Sequence, residues 1–222
     1  MMADNPALQS LYPFLHGARQ NATRMDEALL ESVRQKSRDS LKVKELFFNE
    51  NAAQIVETAH AIATVYENDG KLLTIGNGGS SCDAAHIAVE FLHPVTAGRP
   101  ALSAVNLVAD TAMMTAVGND VGFAHIFVRQ LIAQAKRGDA LIGISTSGNS
   151  DNLMTAFTKA KEMGLVTIGL AGGDGGKMKH FVDHCLVVPS DSIHRVQECH
   201  VTIYHILWDL VHTLLADKRG NL

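Results

Sequence analysis

Two stretches of the chain end a short apolar run in a turn rich in groups that do chemistry. In Leu73-Thr74-Ile75-Gly76-Asn77-Gly78-Gly79-Ser80-Ser81 the turn is rich in glycine and opens directly into a helical pattern. In the stretch that starts at Ala140, the run ends in Ser145-Thr146-Ser147-Gly148-Asn149-Ser150. Backbone N–H groups and a helix N-terminus converge at such turns and make a seat for an anion. The second loop adds the hydroxyls of Ser145, Thr146, Ser147 and Ser150, which can surround a phosphate without any lysine. Ser and Thr are also the ordinary caps of a helix, so either loop alone reads as structure as well as site. Two such loops in one chain point to a phosphorylated substrate.

On the helical pattern after the first loop, His86 and Glu90 form an H-x-x-x-E pair. That spacing puts an imidazole and a carboxylate on one face, where they serve a metal or simply pair in solvent. A later apolar helix carries Gln197, His200 and His205, with Gln197 and His205 about two turns apart and so on nearly one face. Buried polar groups need partners, and a metal, a sugar or a neighbouring subunit would each provide them. His194, His200 and His212 read as surface or interface histidines.

Familiar phosphate-binding motifs do not fit. Gly76 and Gly78 match the first two glycines of G-x-G-x-x-G, but Ser81 stands where the third belongs. Neither loop continues into Gly-Lys-Ser or Gly-Lys-Thr, which excludes a P-loop. The chain has 222 residues, enough for one α/β domain with a buried core, and a net charge of −4. No Lys/Arg-rich run supplies the footprint of a nucleic-acid binder. Cys82, Cys185 and Cys199 form no CxxC pair or ladder, which suits a reducing cytosol. No run suggests a secretory signal or a membrane span, so the expected place is the cytoplasm.

The elements that must position these groups follow from periodicity. Residues 1–22 read as an extension of weak pattern that docks elsewhere. Helical spacing predicts one helix from Met25 to Phe48, with Thr23 as its cap, and another from Asn51 to Tyr66, stopped by Asn68-Asp69-Gly70. The first has no sheet face to cover and is expected to pack on a partner subunit. Short apolar strands are predicted at Lys71–Ile75, Ala104–Leu107, Ala140–Ile144, Val166–Leu170 and Cys185–Val188, alternating with helices. Such alternation gives a five-stranded parallel sheet flanked by helices, a flavodoxin-like three-layer α/β fold. A last helix, about Ser192 to Leu215, is apolar around much of its circumference and is expected to be deeply buried or held between subunits.

Several runs together resemble the sugar isomerase (SIS) family and, within it, the phosphoheptose isomerases. They are Gly76–Ser80, Cys82–His86, Val117–Asp120, Gly143–Ser150, Asp174–Met178 and Arg195–His200, in order and at fitting separations. The resemblance covers about residues 30 to 216 and implies one SIS domain over 23–222, with N-terminal helices that pack in an oligomer. It implies conversion of D-sedoheptulose 7-phosphate to D-glycero-D-manno-heptose 7-phosphate, towards the heptose of lipopolysaccharide. By resemblance Ser145, Thr146, Ser147 and Ser150 hold the phosphate, while Asn77, Gly78, Gly79, Glu90, Asn119, Asp120 and Gln197 meet the rest of the sugar. His86, Glu90, Gln197 and His205 fall on the family's zinc ligands, one ion per subunit of a homotetramer. Glu90 is the candidate base and His205 the second proton-transfer group. After Glu90 the family's usual Gly-Arg-aromatic segment is replaced by Phe91 to Pro100. The competing expectations are a non-catalytic regulator of the same fold that binds the replication initiator, and an isomerase of another sugar phosphate.

Overall fold

The computed structural model describes residues 22–219. The extension 1–22 therefore lies outside the described residues, except for Ala22. The first element is α1, Ala22–Glu67, a single helix of 46 residues. The expected break near Asn49-Glu50-Asn51 does not occur. That polar triplet contains neither Gly nor Pro, and the Asn51 amide donates to the Phe47 carbonyl one turn back at 2.9 Å, which keeps the helix in register. Thr23 lies inside the helix rather than ahead of it. The chain divides into two compact units, residues 1–41 and 42–222. In the first, Leu29, Leu30, Val33 and Leu41 are exposed. The second unit carries the sheet and all of the candidate site.

In the second unit α1 ends as expected: Gly70 N–H donates to the Val65 carbonyl at 2.9 Å, and Asp69 takes a positive φ in the turn. Then come β1 (Leu72–Gly76), α2 (Gly79–Leu92), β2 (Ala104–Asn106) and α3 (Thr111–Asp120). They are followed by α4 (Val128–Gln134), β3 (Ala140–Ser145), α5 (Asp151–Met163), β4 (Val166–Gly172), β5 (His184–Val188) and α6 (Ile193–Arg219). The five strands form one parallel sheet in the order β2-β1-β3-β4-β5. Each expected strand is present, with ends shifted by one or two residues.

Successive strand residues face opposite cores. Leu72, Ala140, Ile142 and Ile144 join Ile62 of α1, Ile87 and Phe91 of α2, and Ile203 and Leu207 of α6. Leu73, Ile75 and Leu141 join Leu131 of α4 and Leu153 and Phe157 of α5 on the other face. Helices cover both faces, which is why the strands read as unbroken apolar runs. Fully burying each Leu or Ile in these layers contributes about 1.5–3 kcal/mol. The unusual segment after α2 folds back on α6: the Arg99 guanidinium stacks 4.3 Å from the Trp208 ring and pairs with Asp209 at 2.5 Å.

Candidate functional site

In this strand order the chain moves to opposite sides from β1, and α2 and α5 leave β1 and β3 for opposite faces of the sheet. Such a switch point opens a crevice at the carboxyl ends of the two strands. Both loops singled out in the sequence lie there. A pair of amides ties them together, Asn77 and Asn152 each donating to the other at 2.9 Å. Gly76 is required by the tight exit from β1, because a Cβ at this position would stand 2.2 Å from the Ser80 carbonyl oxygen.

In the serine loop the hydroxyls bond to one another and to one loop amide, Asn149 N–H donating to Ser147 Oγ at 3.3 Å. Ser150 occupies the N-cap of α5, yet its side chain makes no capping bond. Its Oγ meets Ser145 Oγ at 3.0 Å, and Ser145 Oγ meets Ser147 Oγ at 3.5 Å. Thr146 and Ser147 line a cleft of about 480 Å³ with Gly172, Asp174 and Val196. The run Asp174–Met178 braces this loop from behind. Met178 N–H donates to the Gly148 carbonyl, and Lys177 N–H to Asn149 Oδ1, both at 3.0 Å. Gly148 has φ +63°, and a Cβ there would meet the Gly175 carbonyl oxygen at 2.0 Å, so this close approach also demands glycine.

A second cluster forms where α2 and α6 run side by side in the same direction. Gly79 faces Gln197, His86 faces Tyr204 and Glu90 faces Trp208, always with the same offset of 118 residues. This brings together two pairs that looked weak in isolation. His86 Nε2 lies 3.0 Å from Glu90 Oε1, and His205 Nε2 lies 4.0 Å from the same oxygen. One donor atom from each of the three lies within 4.8 Å of the others. Neighbouring ligands in a tetrahedral shell with bonds of about 2.0–2.1 Å stand roughly 3.3 Å apart. Two imidazole nitrogens and a carboxylate gathered in this way form a group that could hold a divalent metal ion. Burial, and then the neighbouring His86 ring, hold the His205 imidazole below its usual range, against the opposite pull of Glu90.

Gln197 does not join this cluster within one chain. It stands eight residues before His205, about 12 Å along the helix axis. Its amide nitrogen instead covers Gly79, 2.5 Å from where a Cβ would sit. Asn119 and Asp120 lie exposed at the end of α3, where Asn119 donates to Asp120 at 2.9 Å. The histidines of α6 divide. His194 is exposed as expected, but His200 and His212 are buried, not at the surface. His200 Nε2 donates to the Ala171 carbonyl at 3.0 Å, and burial lowers its pKa to about 4, so the ring is neutral. His212 packs between the rings of Phe91 and Trp208.

Sequence reasoning missed Tyr204 and Asp83, which stand behind His86. Tyr204 Oη lies 2.7 Å from His86 Nδ1 and donates to Asp83 Oδ1 at 3.5 Å. The signal available was small: Asp83 and His86 share a helical face at i and i+3.

The comparisons with known proteins agree with this architecture. The SIS domain family matches residues 35–172. A phosphoheptose isomerase of Aquifex aeolicus is 42% identical over 190 residues, 86% of this chain and 100% of its own length. Among solved structures, a phosphoheptose isomerase from Neisseria gonorrhoeae aligns with a TM-score of 0.79 at 38% identity, over 83% of this chain and 99% of that one. A phosphoheptose isomerase from Francisella tularensis aligns with a TM-score of 0.80 at 36% identity, over 83% of this chain and 98% of that one. The chain belongs to the SIS domain family and, within it, to the phosphoheptose isomerases.

Proposed function

We propose that this protein is an aldose–ketose isomerase that converts D-sedoheptulose 7-phosphate to D-glycero-D-manno-heptose 7-phosphate, on the way to the heptose of lipopolysaccharide. The observation that carries the reading is the convergence of His86, Glu90 and His205 on one point from α2 and α6. The family supplies the substrate, and the clustered hydroxyls of the serine loop suit its phosphate.

Moving a carbonyl from C2 to C1 requires removal of a proton from C1, a stabilised enediolate, and delivery of a proton to C2. Glu90 is the base; its side chain is only 18% exposed, so little water competes for its oxygens. His205, neutral near pH 7, can both accept and donate a proton and serves as the second transfer group. Ser145, Thr146, Ser147 and Ser150 turn their hydroxyls to the phosphate, which replaces bonds they now make among themselves. Asn77, Gly78, Gly79, Asn119, Asp120 and Gln197 meet the sugar hydroxyls. Zinc held by His86, Glu90 and His205, one ion per subunit, supplies Lewis-acid polarisation of the substrate oxygens when bound. A ligand role for Gln197 asks for a neighbouring subunit, as in the homotetramer expected from the family. The exposed Leu29, Leu30 and Val33 offer an apolar face for such assembly.

We place the protein in the cytoplasm, where its three free cysteines are stable. Among the described residues no helix is long and apolar enough to cross a membrane. The non-catalytic regulator is not favoured, because the catalytic pair and the metal-ligand types are all present. Turnover in D₂O tests the reading: the aldose should appear carrying deuterium at C2. A protein that folds and assembles but forms no aldose would overturn it.

A further inference from the structure

We propose that Tyr204 is a positioning residue that, with Asp83, accepts the His86 proton at Nδ1 when a metal takes the Nε2 lone pair, and so orients this ligand. The inference rests on the metal-dependent isomerase reading above and extends it to two residues outside the ligand set. Tyr204 is 2% exposed and has one proton to give. Its oxygen has His86 Nδ1 on one side at 2.7 Å and Asp83 Oδ1 on the other at 3.5 Å. Without a metal, an ionised Glu90 only accepts, so Nε2 carries the imidazole proton and Nδ1 accepts from the tyrosine hydroxyl. A metal would claim the Nε2 lone pair; the imidazole proton then belongs on Nδ1, which donates to the tyrosine oxygen while the hydroxyl proton turns to Asp83. The chain Asp83–Tyr204–His86 does for this imidazole what a carboxylate or carbonyl behind a metal-bound histidine commonly does.

The surroundings support a directed chain. Asp83 is buried, and its Oδ2 has no hydrogen-bond partner, so Tyr204 is the one side chain seen to donate to this carboxylate. The Tyr204 ring meets the rings of both His86 and His205 edge-on, with centroids 5.2 and 4.9 Å apart. It thus packs against two of the three donors while hydrogen-bonding one of them.

The experiment titrates zinc into metal-free wild type and Tyr204→Phe against a chromogenic chelator, with assembly and melting temperature checked for both. Phenylalanine keeps the ring packing and removes only the hydroxyl, so the variant should bind zinc about 10- to 100-fold more weakly. Imidazole ¹⁵N shifts give a second readout: on zinc binding the His86 proton should move from Nε2 to Nδ1 in wild type, and the Nδ1–H resonance should lose its hydrogen-bonded shift in the variant. Zinc affinity within twofold of wild type, with the zinc-bound Nδ1–H shift of His86 unchanged, would overturn the proposal. If Tyr204→Phe does not fold, Asp83→Asn, which can donate back to the tyrosine oxygen, should weaken zinc in the same direction, and unchanged affinity there would equally sink the relay. Wild type that takes up no zinc would remove the metal reading itself and the relay with it. Wild type that binds normally beside a variant that also does would remove the relay alone.

Discussion

The two edges of the sheet handle polar groups in opposite ways. At the edge where the strands begin, Asp139 is fully buried, and its carboxylate accepts from Lys71 N, Lys71 Nζ and Lys136 N at 3.0, 2.6 and 2.8 Å. Its oxygens are committed to holding β1, β3 and the turn before β3 together. At the edge where the strands end, Ser145, Ser147 and Ser150 share hydrogen bonds among themselves, Ser147 accepts from the Asn149 amide, and the Ser150 side chain does not cap α5. The carboxylate that ties the strands together is saturated, whereas the hydroxyls proposed for the phosphate bond mainly to one another.

The contrast can be broken by substitution. The largest effects belong at the ligand edge and its metal cluster: Glu90→Gln and His205→Ala should each lower turnover on the order of 10²–10⁴-fold, with assembly and melting temperature retained. Steady-state kinetics beside size-exclusion chromatography checks this, and near-normal turnover in either variant would contradict the assigned roles. Asp139→Ala should do the reverse. It leaves a half-buried lysine and two amides without their acceptor and should cost about 3 kcal/mol in denaturant unfolding, with kcat per folded molecule unchanged.

His200 gives the next effect, through pH. Its pKa is about 4 when folded and about 6.5 when unfolded, so between these values the unfolded chain binds more protons. Stability contributed by the neutral ring is complete above about pH 6.5 and is lost as pH falls towards 4, about 3 kcal/mol in all. His200→Gln should flatten that part of the stability–pH curve, measured by urea titration at each pH. The smallest effect separates cap from site. Ser150→Ala should raise KM for the sugar phosphate by about tenfold with little loss of stability, since one hydrogen bond to a charged group is worth about 1.5 kcal/mol or more. A loss of about 1 kcal/mol in stability with KM unchanged would make Ser150 a helix cap after all.

Much of this was legible before any coordinates. Strands such as Ala140–Ser145 are continuous apolar runs bounded by Gly, Asp or Ser, because helices cover both faces of the sheet. The two loops were legible because glycine and hydroxyls cluster where a strand turns into a helix. The Asn49–Asn51 triplet misled, because local polarity resembles a loop while the long helix around it overrides weak propensity. His200 and His212 read as surface or interface groups because a histidine on an apolar helix does not announce its buried partner. Tyr204 stayed hidden because its contact with His86 spans 118 residues and exists only in the parallel packing of α2 on α6. The His86–Glu90–His205 cluster was legible as residue types, through the family resemblance, but its convergence within one chain was not.

The central claim is an isomerase whose His86, Glu90 and His205 act around a metal. Its most direct test is turnover of D-sedoheptulose 7-phosphate by the purified protein, after chelation and again after zinc is restored. Activity that falls with the chelator and returns with zinc is the predicted result. Full activity in protein shown to be metal-free, or none in the assembled zinc-loaded enzyme, would contradict it.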